Sequence, residues 1–277
     1  MATVELSAGP VDYVDTGGDG PVVVFTHGFP MSATQWRKVV PLLPGYRCVL
    51  PTLPMGAHRN PMRRDADLSE RGQALLVAEL LERLDLRDVT LVMNDWGGPQ
   101  FLVSEGRADR VGRLVLVACE AFDNFPPPQA RLMAQVVKVP GGAWLLMQLV
   151  RTKLFRHHKK AYGVLSKHGV PDDVLDGWFG PATRDRRIRR DLAKFASSAP
   201  HRDVLLRWSA RLTNFDRPVL VVWAPEDRMM PRAHGRRLAE LFPQGRLVEI
   251  TDSWTLIPED QPEHLAEVLL EFLPPSG

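Results

Sequence analysis

Six short apolar runs constrain the fold of this chain more than any other feature. They are Val22-Val23-Val24-Phe25, Arg47-Cys48-Val49-Leu50, Val89-Thr90-Leu91-Val92-Met93, Leu114-Val115-Leu116-Val117-Ala118, Val219-Leu220-Val221-Val222-Trp223 and Leu247-Val248-Glu249-Ile250. Most are β-branched and almost continuously apolar, as a parallel strand must be when both of its faces are covered. Helical stripes lie between them. Leu76, Val77, Leu80, Leu81 and Leu84 line one face of a helix that Ser69 can cap, and Leu265, Val268, Leu269, Phe272 and Leu273 repeat the pattern near the end. Strand–helix alternation of this kind predicts an α/β fold built on a doubly wound, mostly parallel sheet. Two weaker runs, Val4-Glu5-Leu6 and Val11-Asp12-Tyr13-Val14, fit an antiparallel hairpin at its edge.

The alternation breaks once, over residues 121–212. That stretch opens with Phe125-Pro126-Pro127-Pro128, reads as helices and loops, and holds Trp144, Trp178 and Trp208. It is expected to be a helical cap inserted into a core made of residues 1–120 and 213–277. A hydrophobic fraction of 44% over 277 residues is ample for one such core.

The net charge of +2 gives no global push toward nucleic acid or a membrane, and neither is expected as a partner. Cys48 and Cys119 each sit in or at the end of an apolar run, as buried thiols in a reducing compartment do. No Cys/His spacing suits a metal, and no cofactor is implied. The start, Met1-Ala2-Thr3-Val4-Glu5, lacks a charged head followed by an apolar stretch, so a cytoplasmic location is expected.

Chemistry concentrates in three loops. Asn94-Asp95-Trp96-Gly97-Gly98 follows a buried strand, where a sharp turn into a helix starting near Gly97 lifts the Asp95 side chain above the sheet edge. An N-cap aspartate is the plain alternative. His27-Gly28-Phe29-Pro30 follows the first strong strand, and the backbone N–H groups of Phe29 and Trp96 together make a two-donor site for negative charge. His27 itself reads as structural. The third loop, Thr255-Leu256-Ile257-Pro258-Glu259-Asp260-Gln261-Pro262, leads into the last helix.

These motifs resemble the α/β-hydrolase fold, and the Asp-Trp pair resembles its haloalkane dehalogenases and epoxide hydrolases. The resemblance implies that Asp95 attacks carbon to form an ester, with Phe29 and Trp96 as oxyanion donors and the Trp96 indole as a halide ligand. It also implies a histidine, oriented by an acid, that activates water against the ester. Asp227, just past a late strand, and Glu120, after Cys119, are the two candidate acids. The histidine itself is replaced by Thr255, whose hydroxyl has no basic form near neutral pH. His58, in the loop after the second strong strand, is the one substitute the sequence offers. Two family features are also missing. Phe29 stands where one dehalogenase branch carries a halide-binding asparagine, and Tyr162 is the cap's sole tyrosine where epoxide hydrolases use a pair.

Three readings follow. The first is an Asp95 nucleophile acting on a small apolar organic molecule, with hydrolysis impaired. The second is a non-hydrolytic catalyst (isomerase, cyclase or lyase) using the same pocket. The third is a ligand-binding protein. The basic runs Arg151 to Lys160 and Arg184 to Arg190 read first as solvated helix faces.

Overall fold

The computed structural model describes residues 1–276, apart from the Pro99 side chain. Eight strands form one sheet in the order β1-β2-β4-β3-β5-β6-β7-β8. These are β1 (Ala2–Leu6), β2 (Gly9–Asp15), β3 (Val22–Phe25), β4 (Arg47–Pro51), β5 (Val89–Asp95), β6 (Val111–Cys119), β7 (Val219–Trp223) and β8 (Gly245–Glu249). The β1–β2 and β2–β4 pairs are antiparallel, and every other pair is parallel.

The pleat explains the apolar runs. Along β3, Val23 and Phe25 face one core cluster while Val24 faces the other. Along β6, Leu114 and Leu116 alternate with Val115 and Val117 in the same way. A strand covered on both faces has no solvent-facing position for a polar residue.

Helix α1 (Glu70–Arg83) starts where Ser69 Oγ accepts from the Gly72 N–H at 3.2 Å. After Asp95 the helix is shorter than the sequence pattern suggests. A single 3-10 turn (Gly98–Gln100) leads into one turn of α2 (Phe101–Ser104). Between β6 and β7 lie six helices, α3 (Arg131–Lys138), α4 (Gly142–Leu149), α5 (Lys153–His157), α6 (Asp172–Arg184), α7 (Arg186–Ala196) and α8 (Arg202–Ala210). The chain then completes the sheet and ends with α9 (Arg232–Leu241), α10 (Ile257–Asp260) and α11 (Pro262–Phe272). No described helix is long and apolar enough to cross a membrane.

Candidate active site

Asp95 ends β5 with φ at 63°, in the left-handed region. A non-glycine residue held there costs about 1–3 kcal/mol, and such strain concentrates at functional sites. The β5–β6 register shifts between Asn94 and Asp95, so the strand bends there while Asp95 still pairs with Cys119. Asn94 pins the turn from beneath. Its Nδ2 donates to the carbonyls of Val117 (2.8 Å) and Thr255 (2.7 Å), and its Oδ1 accepts from Gln35 Nε2 (2.5 Å). Two glycines make room. A Cβ on Gly28 would collide with the Asp95 carboxylate, and one on Gly97 with the Glu120 carbonyl.

Phe29 N–H donates to Asp95 Oδ2 at 3.0 Å. The second expected donor is turned away, because the tight bend at Asp95 returns the Trp96 N–H to the Asn94 carbonyl at 2.8 Å. Burial raises the Asp95 pKa from 3.8 to about 7; the Phe29 N–H lowers it in part and the Asp227 charge raises it further. Near neutral pH this carboxyl therefore exists in both protonation states.

Above Asp95 lies a cavity of about 210 Å³ with an adjoining lobe of about 90 Å³. Asp95, Phe29 and Glu120 line both lobes. The walls come from the cap and are mostly apolar, including Met133, Leu146, Met147, Val150, Phe155 and Phe179. Among the described residues no histidine lines either lobe. Tyr162 also faces the cavity, and its buried hydroxyl has no hydrogen-bond partner.

Of the two candidate acids, Asp227 meets the Thr255 position. Its Oδ1 accepts from Thr255 Oγ1 at 2.9 Å and from the N–H groups of Met229 (2.7 Å) and Met230 (3.0 Å). Burial raises its pKa to about 6 against those hydrogen bonds. Thr255 is fully buried, and its hydroxyl donates to Asp227. Glu120 is instead pushed well above the usual carboxylate range by burial, then by the charges of Glu70 and Asp95. Its Oε2 is buried without a partner.

The expectation for His58 is corrected by its surroundings. The ring is buried, Nδ1 accepts from the Gly56 N–H at 3.2 Å, and Nε2 meets Asp191 Oδ2 of α7 at 3.3 Å. That pattern assigns the proton to Nε2 and ties core to cap. Both ring nitrogens are occupied, and the ring is not among the cavity walls. His27 is likewise internal. Nδ1 faces the Gly28 carbonyl at 2.9 Å, Nε2 accepts from Leu53 N–H at 2.8 Å, and burial lowers its pKa to about 4.

The halide role expected for the Trp96 indole also does not fit. Its N–H donates to Glu70 Oε1 at 2.7 Å, within the protein interior. Sequence reasoning missed Glu70, the first residue of α1, because a carboxylate there normally faces water beside the helix dipole. Here it is buried, and burial raises its pKa to about 8.

An eight-stranded, mostly parallel sheet with an acid on the bend after β5 and a cap over it is the architecture of the α/β hydrolases. The chain belongs to the alpha/beta hydrolase family, whose model matches residues 23–268. It is 27% identical over 274 residues to haloalkane dehalogenase 2 of Mycobacterium tuberculosis, covering 96% of this chain and 92% of that protein. It is 26% identical over 256 residues to the uncharacterized hydrolase YugF of Bacillus subtilis, covering 91% and 89%. The crystal structure of a putative ancestral haloalkane dehalogenase superposes with a TM-score of 0.79 at 22% identity, covering 98% of both chains, a likeness of fold.

Proposed function

We propose that this protein is an α/β-hydrolase-family catalyst whose Asp95 acts on an apolar organic molecule and whose capacity for hydrolytic turnover is impaired. The observation that carries this reading is the pairing of Asp95, fixed by Phe29 on the cavity floor, with Thr255 in the place of the water-activating base. With Oδ2 held by the Phe29 N–H, the other oxygen is the attacking atom. It forms a C–O bond as a C–X bond breaks and the leaving group departs with the electron pair. The resulting ester carries no neighbouring base to deprotonate water, a loss that costs roughly 10²–10⁴ in rate.

Two observations favour a second reading, in which Asp95 moves a proton without forming an ester. Its carboxyl titrates near neutrality, where a general acid–base works best. Tyr162 lines the same cavity, and its buried hydroxyl is an unengaged donor. Both readings require Asp95 to touch substrate. A screen of neutral alkyl halides, epoxides and other apolar compounds tests this common ground. Protein-dependent consumption by the wild type that disappears in Asp95→Asn supports it; equal consumption by both proteins sets it aside.

A further inference from the structure

The near-neutral charge of the chain hides a strong asymmetry. Between Asp123 and Asp172 there are eight Lys or Arg residues and no Asp or Glu, so the net +2 is +8 in this segment and −6 elsewhere. The same segment holds six of the ten large hydrophobic side chains exposed among the described residues: Leu132, Val139, Trp144, Leu145, Leu149 and Leu154. Leu154 is 80% exposed, Leu132 74% and Trp144 54%. Solvated cap helices do not need leucines at such exposure, and a cluster of this size marks a surface that meets something apolar.

The positions are ordered. Leu132 and Val139 lie seven residues apart, two turns along α3 and its end, while Trp144, Leu145 and Leu149 share the outer side of α4, which packs against α3. The cations are interspersed with them along the chain. Ion pairs in this segment involve only Lys153, Arg156, His157, Lys167 and His168 among the described residues, and the Lys159 ammonium is held by the Ser166 and Lys167 carbonyls, which leaves Arg131, Lys138, Arg151 and Lys160 exposed without an ion pair.

We propose that this outer face of α3, α4 and α5 docks on an anionic membrane surface, with the apolar side chains entering the headgroup boundary and the cations facing lipid phosphates. Cations interleaved with exposed Leu and Trp are the pattern of an interfacial anchor. A protein partner complementary to this face would need carboxylates and an apolar patch in one register, whereas an anionic bilayer supplies both in any register. The surface also leads to the candidate site. The inner sides of the same three helices line the cavity through Met133, Leu146, Met147 and Phe155, and Leu132 is both exposed and part of the cavity wall. An apolar substrate dissolved in lipid would reach Asp95 without crossing water. The docking itself does not rest on the chemistry of Asp95.

The test uses the full chain with vesicles of phosphatidylcholine alone and of phosphatidylcholine mixed with phosphatidylglycerol. Cosedimentation with the mixed vesicles only, weakening as salt is added, is expected. Arg131→Gln/Lys138→Gln/Arg151→Gln should lower that affinity about a hundredfold, roughly fivefold per charge. Trp144→Ser/Leu145→Ser/Leu154→Ser should abolish it, with far-ultraviolet circular dichroism confirming that both variants are folded. Failure to bind the mixed vesicles, equal binding to both compositions, or wild-type binding by the variants overturns the proposal. So does sedimentation velocity showing a dimer that the Trp144/Leu145/Leu154 variant dissociates, since a second copy then covers the face.

Discussion

Thr255 Oγ1 donates to Asp227 Oδ1 over 2.9 Å. The acid that would orient a catalytic base holds a hydroxyl instead, and the arrangement is closed: the threonine is fully buried and its carbonyl receives the Asn94 amide. Restoring the base tests how much of the surrounding site remains. Thr255→His should raise hydrolytic turnover of a reactive substrate about 10²–10⁴-fold, measured as alcohol released per protein per minute. The larger ring overfills a packed position, so a loss of about 1–3 kcal/mol in stability is expected beside the gain. No gain in a folded variant would place the defect beyond the base.

Attack by Asp95 requires its ionised form. With burial raising its pKa to about 7, the rate of alkylation should climb with pH and level off above a midpoint near 7. Stopped-flow or quenched mass measurements across pH 5 to 9 read this directly. A rate flat from pH 5 upward would mean that the carboxylate is already ionised there. Proton transfer from Asp95 acting as the acid gives a different profile, because a reaction needing the protonated form slows over the same range; Asp95 acting as a base gives the same rise.

The same burial has a cost in stability, with a definite sign. Between 3.8 and about 7 the unfolded chain has lost the Asp95 proton while the folded protein retains it, so stability falls as pH rises through that window. Asp227 acts in the same direction between 3.8 and about 6, and Glu70 between 4.5 and about 8. Asp95→Asn cannot ionise and keeps an acceptor for Phe29 N–H. It should be more stable than the wild type at pH 8, by up to about 4 kcal/mol, and nearly equal to it at pH 4. Urea unfolding at the two pH values checks this; equal gains at both would contradict it.

Trp96 offers no free indole N–H to a halide, because Glu70 Oε1 accepts it at 2.7 Å. Bromide added to the wild type should therefore give linear, collisional quenching of tryptophan fluorescence with no saturable component. Saturable quenching that Trp96→Phe removes would show that the indole N–H leaves Glu70 for the smaller lobe, which Trp96 lines.

The core was legible because its physics is local. Strands covered on both faces must be apolar at every position, and Val22–Phe25 and Val219–Trp223 appear over the residues their runs suggest. The bend at Asp95 was also legible, but its support was not. The positive φ belongs to Asp95 itself, and Asn94 supports the turn through its side-chain amide. Glu70 meets Trp96 across 26 residues, and no periodicity announces such a contact.

The loop around Thr255 is held by contacts that do not involve the residue at 255. Asp260 accepts from the N–H groups of Lys167 (2.9 Å), His168 (3.1 Å) and Trp254 (3.1 Å), which ties the cap to the core. Glu259 pairs with Arg37 at 2.5 Å and Lys38 at 3.2 Å. These acids hold the fold together whatever stands at 255. The asymmetry of charge was hidden for a different reason, since a whole-chain sum cannot show that one segment is strongly basic and the remainder acidic.

Intact-protein mass spectrometry under excess alkyl halide or epoxide, followed by peptide mapping, tests the central claim most directly. A persistent mass increase of one alkyl group on Asp95, absent from Asp95→Asn and discharged in Thr255→His, is the predicted result. Many equivalents of alcohol released by the wild type with Asp95 unmodified throughout would contradict it.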